Sequence, residues 1–141
     1  MTKSRLIPLL YLFLALVVFT SCSKDDDPEP NNTDLLTLGE WDAVSGYSMG
    51  QDVTNRLLEE ADYDINQLSI RFDRNGEYRE TYGRTILGTW VFSDNEEVIM
   101  FDTGEVYEHR ATVTRLTNDE LYLEVNWFGP LVELRFTKRQ Q

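Results

Sequence analysis

Apolar and polar residues alternate with a period of two along most of the chain after Leu35. In the stretch QLSIRF, Leu68, Ile70 and Phe72 would share one face while the residues between them are polar, which is typical of a half-buried β-strand. The same alternation recurs in ILGTWVF, LYLEVNW and LVELRF. With an entry strand around Trp41, the pattern predicts eight strands, at about residues 40–47, 65–72, 77–83, 86–93, 96–101, 106–116, 119–127 and 131–138.

Clusters of turn-forming residues separate these strands. The sequences DRNG, SDNE, DTG, TNDE and FGP place Asn, Asp and Gly where tight hairpins need positive φ angles or local side-chain hydrogen bonds. Successive hairpins predict a meander of antiparallel strands. Eight such strands can hide their edges by closing into an all-β, up-and-down barrel, whose interior holds side chains or one small ligand. The alternative is an open sandwich.

One segment departs from the period of two. The stretch DVTNRLLEEADYD, residues 52–64, places Val53, Leu57 and Ala61 four residues apart among charged neighbours, which predicts a short amphipathic helix with Asp52 as its N-cap. Inserted after the first strand, this helix would either lie over one barrel end as a lid or plug the core. The sequence leaves both arrangements open.

Charge and cysteine content narrow the classes of function. The 141 residues suffice for one domain, and 25 acidic against 13 basic side chains give a formal charge of -12. This charge repels phosphate backbones, so we expect no nucleic-acid partner. Because Cys22 is the single cysteine, an internal disulfide is excluded.

The N-terminal segment has the order of a secretion signal. Two basic residues precede residues 6–19, a run of 14 apolar residues that is too short to span ~30 Å of hydrocarbon as a helix. Thr20, Ser21 and Cys22 follow, and this order resembles the lipobox of bacterial lipoproteins, in which the cysteine is lipidated and becomes the new N-terminus. We expect residues 1–21 to be a signal peptide. The alternative is an ordinary cleaved signal peptide that leaves a free thiol.

The segment after the cysteine is polar, acidic and contains proline, so it cannot bury enough apolar surface to fold. We expect residues 22–34 to be a flexible tether and residues 35–141 to be the barrel domain. A Lys followed by three Asp also resembles the signal by which some Gram-negative bacteria send lipoproteins to the outer face of the outer membrane. The expectation is a lipid-anchored outer-membrane protein exposed at the cell surface, or alternatively one that faces the periplasm with the acidic run as a spacer.

Several motifs, in their order and spacing, resemble the lipocalin-like lipoprotein domains of Gram-negative gut and environmental bacteria. They are LGEW, IRFDRNGEY, LGTWVFSDNEEVIMF, LTNDELYLEV and LRFTKR, and together they cover roughly residues 35–139. In lipocalin relatives a Gly-x-Trp at the first strand closes the base of the barrel, and a basic side chain of the last strand stacks across the indole.

The resemblance gives this barrel-closing role to Gly39 and Trp41. Arg135 alternates with the apolar positions of the last strand and would point outward, which leaves Lys138 or Arg139 as the basic partner.

The resemblance also implies non-catalytic binding of a small apolar or amphipathic molecule inside the barrel. The candidate inward-facing residues, any of which could instead fill a solid core, are Leu68, Ile70, Tyr78, Trp90, Val98, Met100, Leu123 and Trp127. The alternative is a surface interaction or accessory module with a solid barrel, which contacts a protein or glycan through its outer faces and loops.

The sequence offers no constellation for catalysis. His109 is the single histidine, and we expect it to be a packing or rim residue because no nucleophile pairs with it. The stretch DRNGE resembles part of a calcium loop but returns directly to a strand, which indicates a hairpin turn. We therefore expect no metal, no cofactor and no enzymatic activity.

Overall fold

Neighbouring strands pair in chain order around a single antiparallel sheet. The computed structural model describes residues 30–93, 95–126 and 129–140. The strands are β1 (Glu40–Ser48), β2 (Gln51–Asp52), β3 (Ser69–Phe72), β4 (Glu77–Tyr82), β5 (Arg84–Phe92), β6 (Val98–Phe101), β7 (His109–Leu116), β8 (Glu120–Asn126) and β9 (Leu131–Lys138). Strand β2 is a two-residue extension paired with the end of β1, so eight strands remain for the barrel.

Pairing between β1 and β9 closes the sheet. It runs from Trp41 opposite Lys138 to Tyr47 opposite Glu133. The predicted eight-stranded up-and-down barrel is thus confirmed, and the open sandwich is excluded because both terminal strands of the meander pair with each other. Register shifts in β1 and β7, of the kind that β-bulges produce, help the strands to curve.

The strand boundaries differ from the prediction in two informative places. The strand expected from residue 65 begins at Ser69, because Ile65–Gln67 forms a 3₁₀ turn and the Asp64 carboxylate accepts a hydrogen bond from the backbone N of Asn66 (3.1 Å). The strand expected from residue 106 begins at His109, since residues 102–108 form a series of turns. Polar side-chain bonding at these positions competes with the sheet ladder.

The predicted amphipathic helix is present as α2 (Thr54–Ala61; a shorter helix, Asn32–Leu36, is α1), but its predicted cap is wrong. Val53 occupies the N-cap position, and Asp52 lies in β2, from where its Oδ1 accepts a hydrogen bond from the backbone N of Thr54 (2.9 Å). The helix lies beside the end of β1, where Gly46 permits close approach: a Cβ there would sit 3.0 Å from Leu57 Cδ1. It has no fully buried residue of its own, so it covers part of this end without plugging the barrel.

A short helix that the sequence analysis did not predict, α1 (Asn32–Leu36), closes the opposite end of the barrel. The Glu96 carboxylate holds it by accepting hydrogen bonds from the backbone N of Asn32 and the hydroxyl of Thr33, each at 3.2 Å. Its last residue, Leu36, is fully buried and accepts a hydrogen bond at its carbonyl oxygen from Trp41 Nε1 (2.9 Å). In the described ranges, no helix is long and apolar enough to span a bilayer.

Aromatic rings fill the middle of the barrel. The ring of Phe72 packs edge-on against Trp90 with centroids 5.4 Å apart, and Phe101 packs edge-on against Tyr78 at 5.1 Å. Further buried aliphatic residues from all sides complete this core: Ile70, Ile99, Leu121, Leu123, Val132 and Leu134. The interior of an eight-stranded barrel is narrow enough for side chains alone to occupy it.

The predicted inward orientation of Val98 and Met100 is wrong. Their neighbours Ile99 and Phe101 are buried instead, because Ile99 pairs with Phe92 and Ala111, whose side chains face the interior. The strand reads VIMF, four apolar residues in succession, so alternation could not assign its faces. Register across the preceding hairpin decides them.

The contact between α1 and the barrel base predicts a contrast between two nearby leucines. Leu36→Ala should lower the free energy of unfolding by about 2–5 kcal/mol, because it removes most of a fully buried side chain and leaves a cavity in its place. Leu38→Ala, at a position that is 48% exposed, should change it by less than about 0.5 kcal/mol. Urea unfolding followed by tryptophan fluorescence measures both, and equal effects would refute the role of α1 as a packed closure.

Candidate functional site at the open end of the barrel

The direction of the strands places α2 at the end of the barrel opposite α1, together with Tyr63, Glu80 and His109. Strands β1, β4, β6 and β8 finish at this open end, and β3, β5, β7 and β9 begin there. Loops at one end of a rigid barrel are common positions for binding residues.

A cleft of about 330 Å³ lies between α2 and the adjoining ends of β1 and β9. Its floor is apolar, because Val53 and Val132 are buried and Leu57 packs against the core. Its rim is polar, with Arg56 and Glu60 exposed one turn apart on α2. The complete lining is Ser48, Val53, Arg56, Leu57, Glu60, Ala61, Tyr63, Pro130 and Val132.

Tyr63 connects this cleft to strand β4. Its ring stacks on that of Tyr82, with centroids 4.3 Å apart and planes 7° from parallel. The Tyr82 hydroxyl accepts a hydrogen bond from the backbone N of Asp64 (3.0 Å), which fixes the ring pair against the segment that follows α2. Burial, with a smaller contribution from the negative charge of Glu80, holds the pKa of Tyr63 well above its usual value, so the phenol is neutral at physiological pH.

Glu80 is an acidic residue on an otherwise apolar strand face. It shares the inward face of β4 with Tyr78 and Tyr82, and its neighbours across the sheet are Ile70 and Ile86. Isoleucine side chains offer no hydrogen bond to a carboxylate. Among the residues that the structure describes, no hydrogen bond or ion pair engages the Glu80 carboxylate.

Burial is the main influence on this carboxyl group and raises the pKa of Glu80, while the charge of His109 opposes the rise. His109 stacks on Phe101 with ring centroids 4.6 Å apart, and its Nδ1 lies 2.9 Å from the backbone oxygen of Tyr107. The structure thus places His109 on the rim of the open end, opposite β4.

Tyr78 and Asp102 form a further polar pair, joined by a hydrogen bond between their side chains. The Tyr78 hydroxyl donates to Asp102 Oδ2 (2.9 Å), and Asp102 Oδ1 accepts from the backbone N of Thr89 (2.8 Å). Gly88 is required at this point, because a Cβ there would lie 2.5 Å from Tyr78 Cε1. Burial, followed by the hydrogen bond to Asp102, raises the pKa of Tyr78, so this phenol acts as a neutral donor.

The binding residues predicted from the sequence are not among the described residues that line the cleft. Five of them are buried in the packed interior and none of these lines the cleft: Leu68, Ile70, Tyr78, Trp90 and Leu123. Their contact with a ligand stays a prediction. Trp127 and Cys22 lie outside the described residues.

The residues predicted to close the base lie where the first strand meets α1. Trp41 is fully buried, and Gly39 lies beside the Lys138 side chain, since a Cβ there would be 3.5 Å from Lys138 Cγ. No cation–π contact to Trp41 is found within residues 30–93, 95–126 and 129–140. Arg135 lies on the outer face, with its guanidinium 3.7 Å from the ring centroid of Tyr47.

Arg139 also points outward and pairs with the carboxylates of Glu40 and Asp42. In the described part of the barrel, the backbone carbonyl of Leu36 is therefore the polar partner of the Trp41 indole.

Glu80, Tyr63 and the rim residues of α2 were not predicted from the sequence. A signal for Glu80 was present in the stretch EYRETY, where a charged residue occupies the same parity as two tyrosines. Tyr63 carried no such signal, because its role depends on a ring from β4.

No protein-family model matches the chain, and no curated protein sequence matches it significantly. A crystal structure of a DUF4847 family protein from Bacteroides vulgatus is similar, with 14% identity, a TM-score of 0.51, and 79% of this chain and 99% of that chain covered. At this level of identity the similarity shows the fold alone.

Two further crystal structures show weaker similarity. A lipocalin-like protein from Bacteroides uniformis has 15% identity, a TM-score of 0.49, and 73% of this chain and 98% of that chain covered. An uncharacterized protein from Bacteroides eggerthii has 15% identity, a TM-score of 0.48, and 73% and 99% covered. The lipocalin-like architecture rests on the strand order and closure described above, since an eight-stranded up-and-down barrel is the lipocalin arrangement.

The raised pKa of Glu80 predicts a pH-dependent effect of Glu80→Gln. Since the ionised carboxylate is less favourable in the folded state, the contribution of Glu80 to wild-type stability is greatest below the ordinary glutamate pKa and falls as the pH rises through the raised folded-state value. The variant should therefore be more stable than wild type at pH 7, with the gain vanishing near pH 3. Thermal unfolding at both pH values measures the difference.

The matched control is Glu59→Gln on the exposed face of α2, which removes the same charge without changing a half-buried group. It should shift stability little at either pH. A Glu80→Gln gain that is the same at pH 3 and pH 7 would show that its origin is not the carboxylate charge.

Proposed function

We propose that this chain is a lipid-anchored, non-catalytic binding protein that holds a small amphipathic molecule in the cleft at the open end of its barrel. The composition of the cleft carries this proposal. Apolar side chains of Val53, Leu57 and Val132 form its floor, and charged groups of α2 form its rim. Its volume of about 330 Å³ falls at the lower end of the ~300–1,000 Å³ typical of small-molecule sites.

The packed middle of the barrel supports a site at the end in preference to the centre. Phe72, Trp90 and Phe101 are buried there and contact one another. A ligand at that depth would have to displace several rings, whereas α2 has no buried residue and can shift at small cost.

The polar rim supports an amphipathic ligand in preference to a purely apolar one. Arg56 offers a planar set of N–H donors to hydrogen-bond acceptors of a ligand, and Glu60 accepts hydrogen bonds one helical turn away. The Ser48 hydroxyl contributes less, since it already donates to the backbone oxygen of Leu131 (2.9 Å).

The position of α1 supports an orientation for the anchored protein. The chain enters the barrel at the closed end, where Asn31 caps α1. A lipid on Cys22 would therefore leave the cleft at the end that faces away from the membrane. The lipobox-like sequence and the acidic run after Cys22 support the outer membrane as the location of this anchor, with the cell surface as the expected side.

A non-catalytic role is supported by the surroundings of the single histidine. The Nδ1 atom of His109 meets a backbone oxygen, that of Tyr107, and the face of its ring meets Phe101. General-base catalysis would instead need a nucleophile or substrate proton within hydrogen-bond reach.

A second candidate function, a surface interaction module, is favoured by one observation. Strand β6 pairs with β5 only over Trp90–Phe92, so in the described sheet the first half of β5 has a strand neighbour on one side only. Leu87 on this half-strand is 73% exposed. An open edge of this kind can accept an extended segment of another protein.

Filling the cleft should abolish ligand binding. Ala61→Trp would occupy the cleft from an exposed position on α2 and should remove any small molecule that co-purifies with the mature protein from its native cells. Leu58→Trp, on the same helix but outside the cleft lining, should leave the ligand in place. Native mass spectrometry detects both outcomes, and a wild-type protein without a bound molecule would favour the surface-module alternative.

Anchoring depends on Cys22 in this proposal. The Cys22→Ser variant should move from the membrane fraction to the soluble fraction, and Ser23→Ala should stay in the membrane. Mass spectrometry of the membrane-extracted wild-type protein should show an acylated N-terminal cysteine. An unmodified thiol at that position would refute the anchor.

A further inference from the structure

We propose that the open end contains a subsite for a protonated amine, formed by the Glu80 carboxylate and the rings of Tyr63 and Tyr82. This inference rests on the proposed function, because it identifies the polar group of the amphipathic ligand. The amine would lie against Glu80 while the apolar part of the molecule extends past Tyr63 into the cleft.

The first support is the position of the carboxylate. Glu80 faces inward between Ile70 and Ile86, with Tyr78 and Tyr82 before and after it on the same strand face. Water is partly excluded at this position, so an ion pair formed there is screened less than one on the surface.

The second support is the lack of an internal counter-ion. Arg84 lies on the same face at the hairpin tip, opposite Tyr82, but no ion pair joins it to Glu80. The seven ion pairs between described residues all involve other carboxylates. His109 contributes an opposing charge from across the mouth, yet burial still dominates and leaves the carboxyl pKa raised. A ligand that brings one positive charge would supply what the fold does not.

The third support is the aromatic surface beside the carboxylate. Tyr63 and Tyr82 form a parallel stack, and the charge of Glu80 acts on the Tyr63 phenol. Ammonium groups bind favourably to aromatic faces, and a carboxylate next to such faces is a typical amine receptor. The Tyr63 phenol is expected to stay neutral, since burial and the charge of Glu80 raise its pKa.

The net charge of the chain favours the same ligand class. With 25 acidic and 13 basic side chains, the field around the protein attracts cations and repels anions during diffusion. This long-range attraction is unspecific, so the test must separate it from the contribution of Glu80.

The probes are 4-phenylbutylamine, which is protonated at pH 7, and 4-phenylbutanol, which has the same skeleton without the charge. The amine should bind the mature protein about tenfold or more tightly than the alcohol, as expected for a hydrogen bond to a charged group. In Glu80→Gln this ratio should fall to about one. Glu59→Gln, which removes the same single negative charge, should keep the ratio. Titration followed by NMR or calorimetry gives the dissociation constants.

Different results would overturn different proposals. A ratio near one in wild type, or a ratio that Glu80→Gln leaves unchanged, would refute the amine subsite. Binding of the alcohol that Ala61→Trp abolishes would still support the cleft. Amine binding that depends on Glu80, with no measurable binding of the alcohol, would support the subsite and count against an apolar cleft. Failure of both probes to bind would refute both.

Discussion

The hydrogen bonds between β1 and β9 are the constraint on which the rest of this structure depends. They turn a meander with two open edges into a closed barrel, and they place Trp41 opposite Lys138 at the base. Closure gives every strand an interior face that must be filled. The fully buried Trp41 fills the base, and its indole N–H finds its acceptor in the last residue of α1, so closure of the sheet and closure of the end are coupled.

The narrow interior then determines where a ligand can be held. Eight strands leave room for one set of side chains, and here aromatic rings occupy that space. The segment after β1 crosses the opposite end as α2 and packs on the core through Leu57, which leaves a cleft beside it. The proposed binding site therefore depends on α2 and the rim, and on the tyrosine pair that connects them to β4.

Glu80, in the proposed subsite, lies where a charged side chain opposes stability. The carboxylate lies on the interior parity of β4 between two isoleucines, a position where burial favours its neutral form. Residues that break a local rule are often functional, because selection retains them despite their cost. The uncompensated charge and the adjoining ring stack together distinguish this side of the mouth from the ordinary packing around the rest of the barrel.

Much of the fold was predictable because its signals are local. Alternation in β3 and β8 identified Phe72 and Leu123 as interior residues, and the turn clusters indicated antiparallel order. Local signals failed where the pattern was ambiguous or short. The run VIMF has no alternation, so its faces were assigned wrongly, and the five residues of α1 are too few for a helical period to appear.

The sequence by itself determined the strand count, the chain order of the hairpins and the expectation of a closed barrel, because each depends on neighbours within a few residues. Only the tertiary structure decided which residues of β6 face the interior and that the Trp41 indole donates to the Leu36 carbonyl oxygen. It also decided where the proposed site at the open end lies. The cleft and the Glu80 surroundings combine side chains from α2, β4, β7 and β9. Contacts between residues so far apart in the chain are set by barrel closure and strand register. The periodicity of a single segment therefore does not predict them.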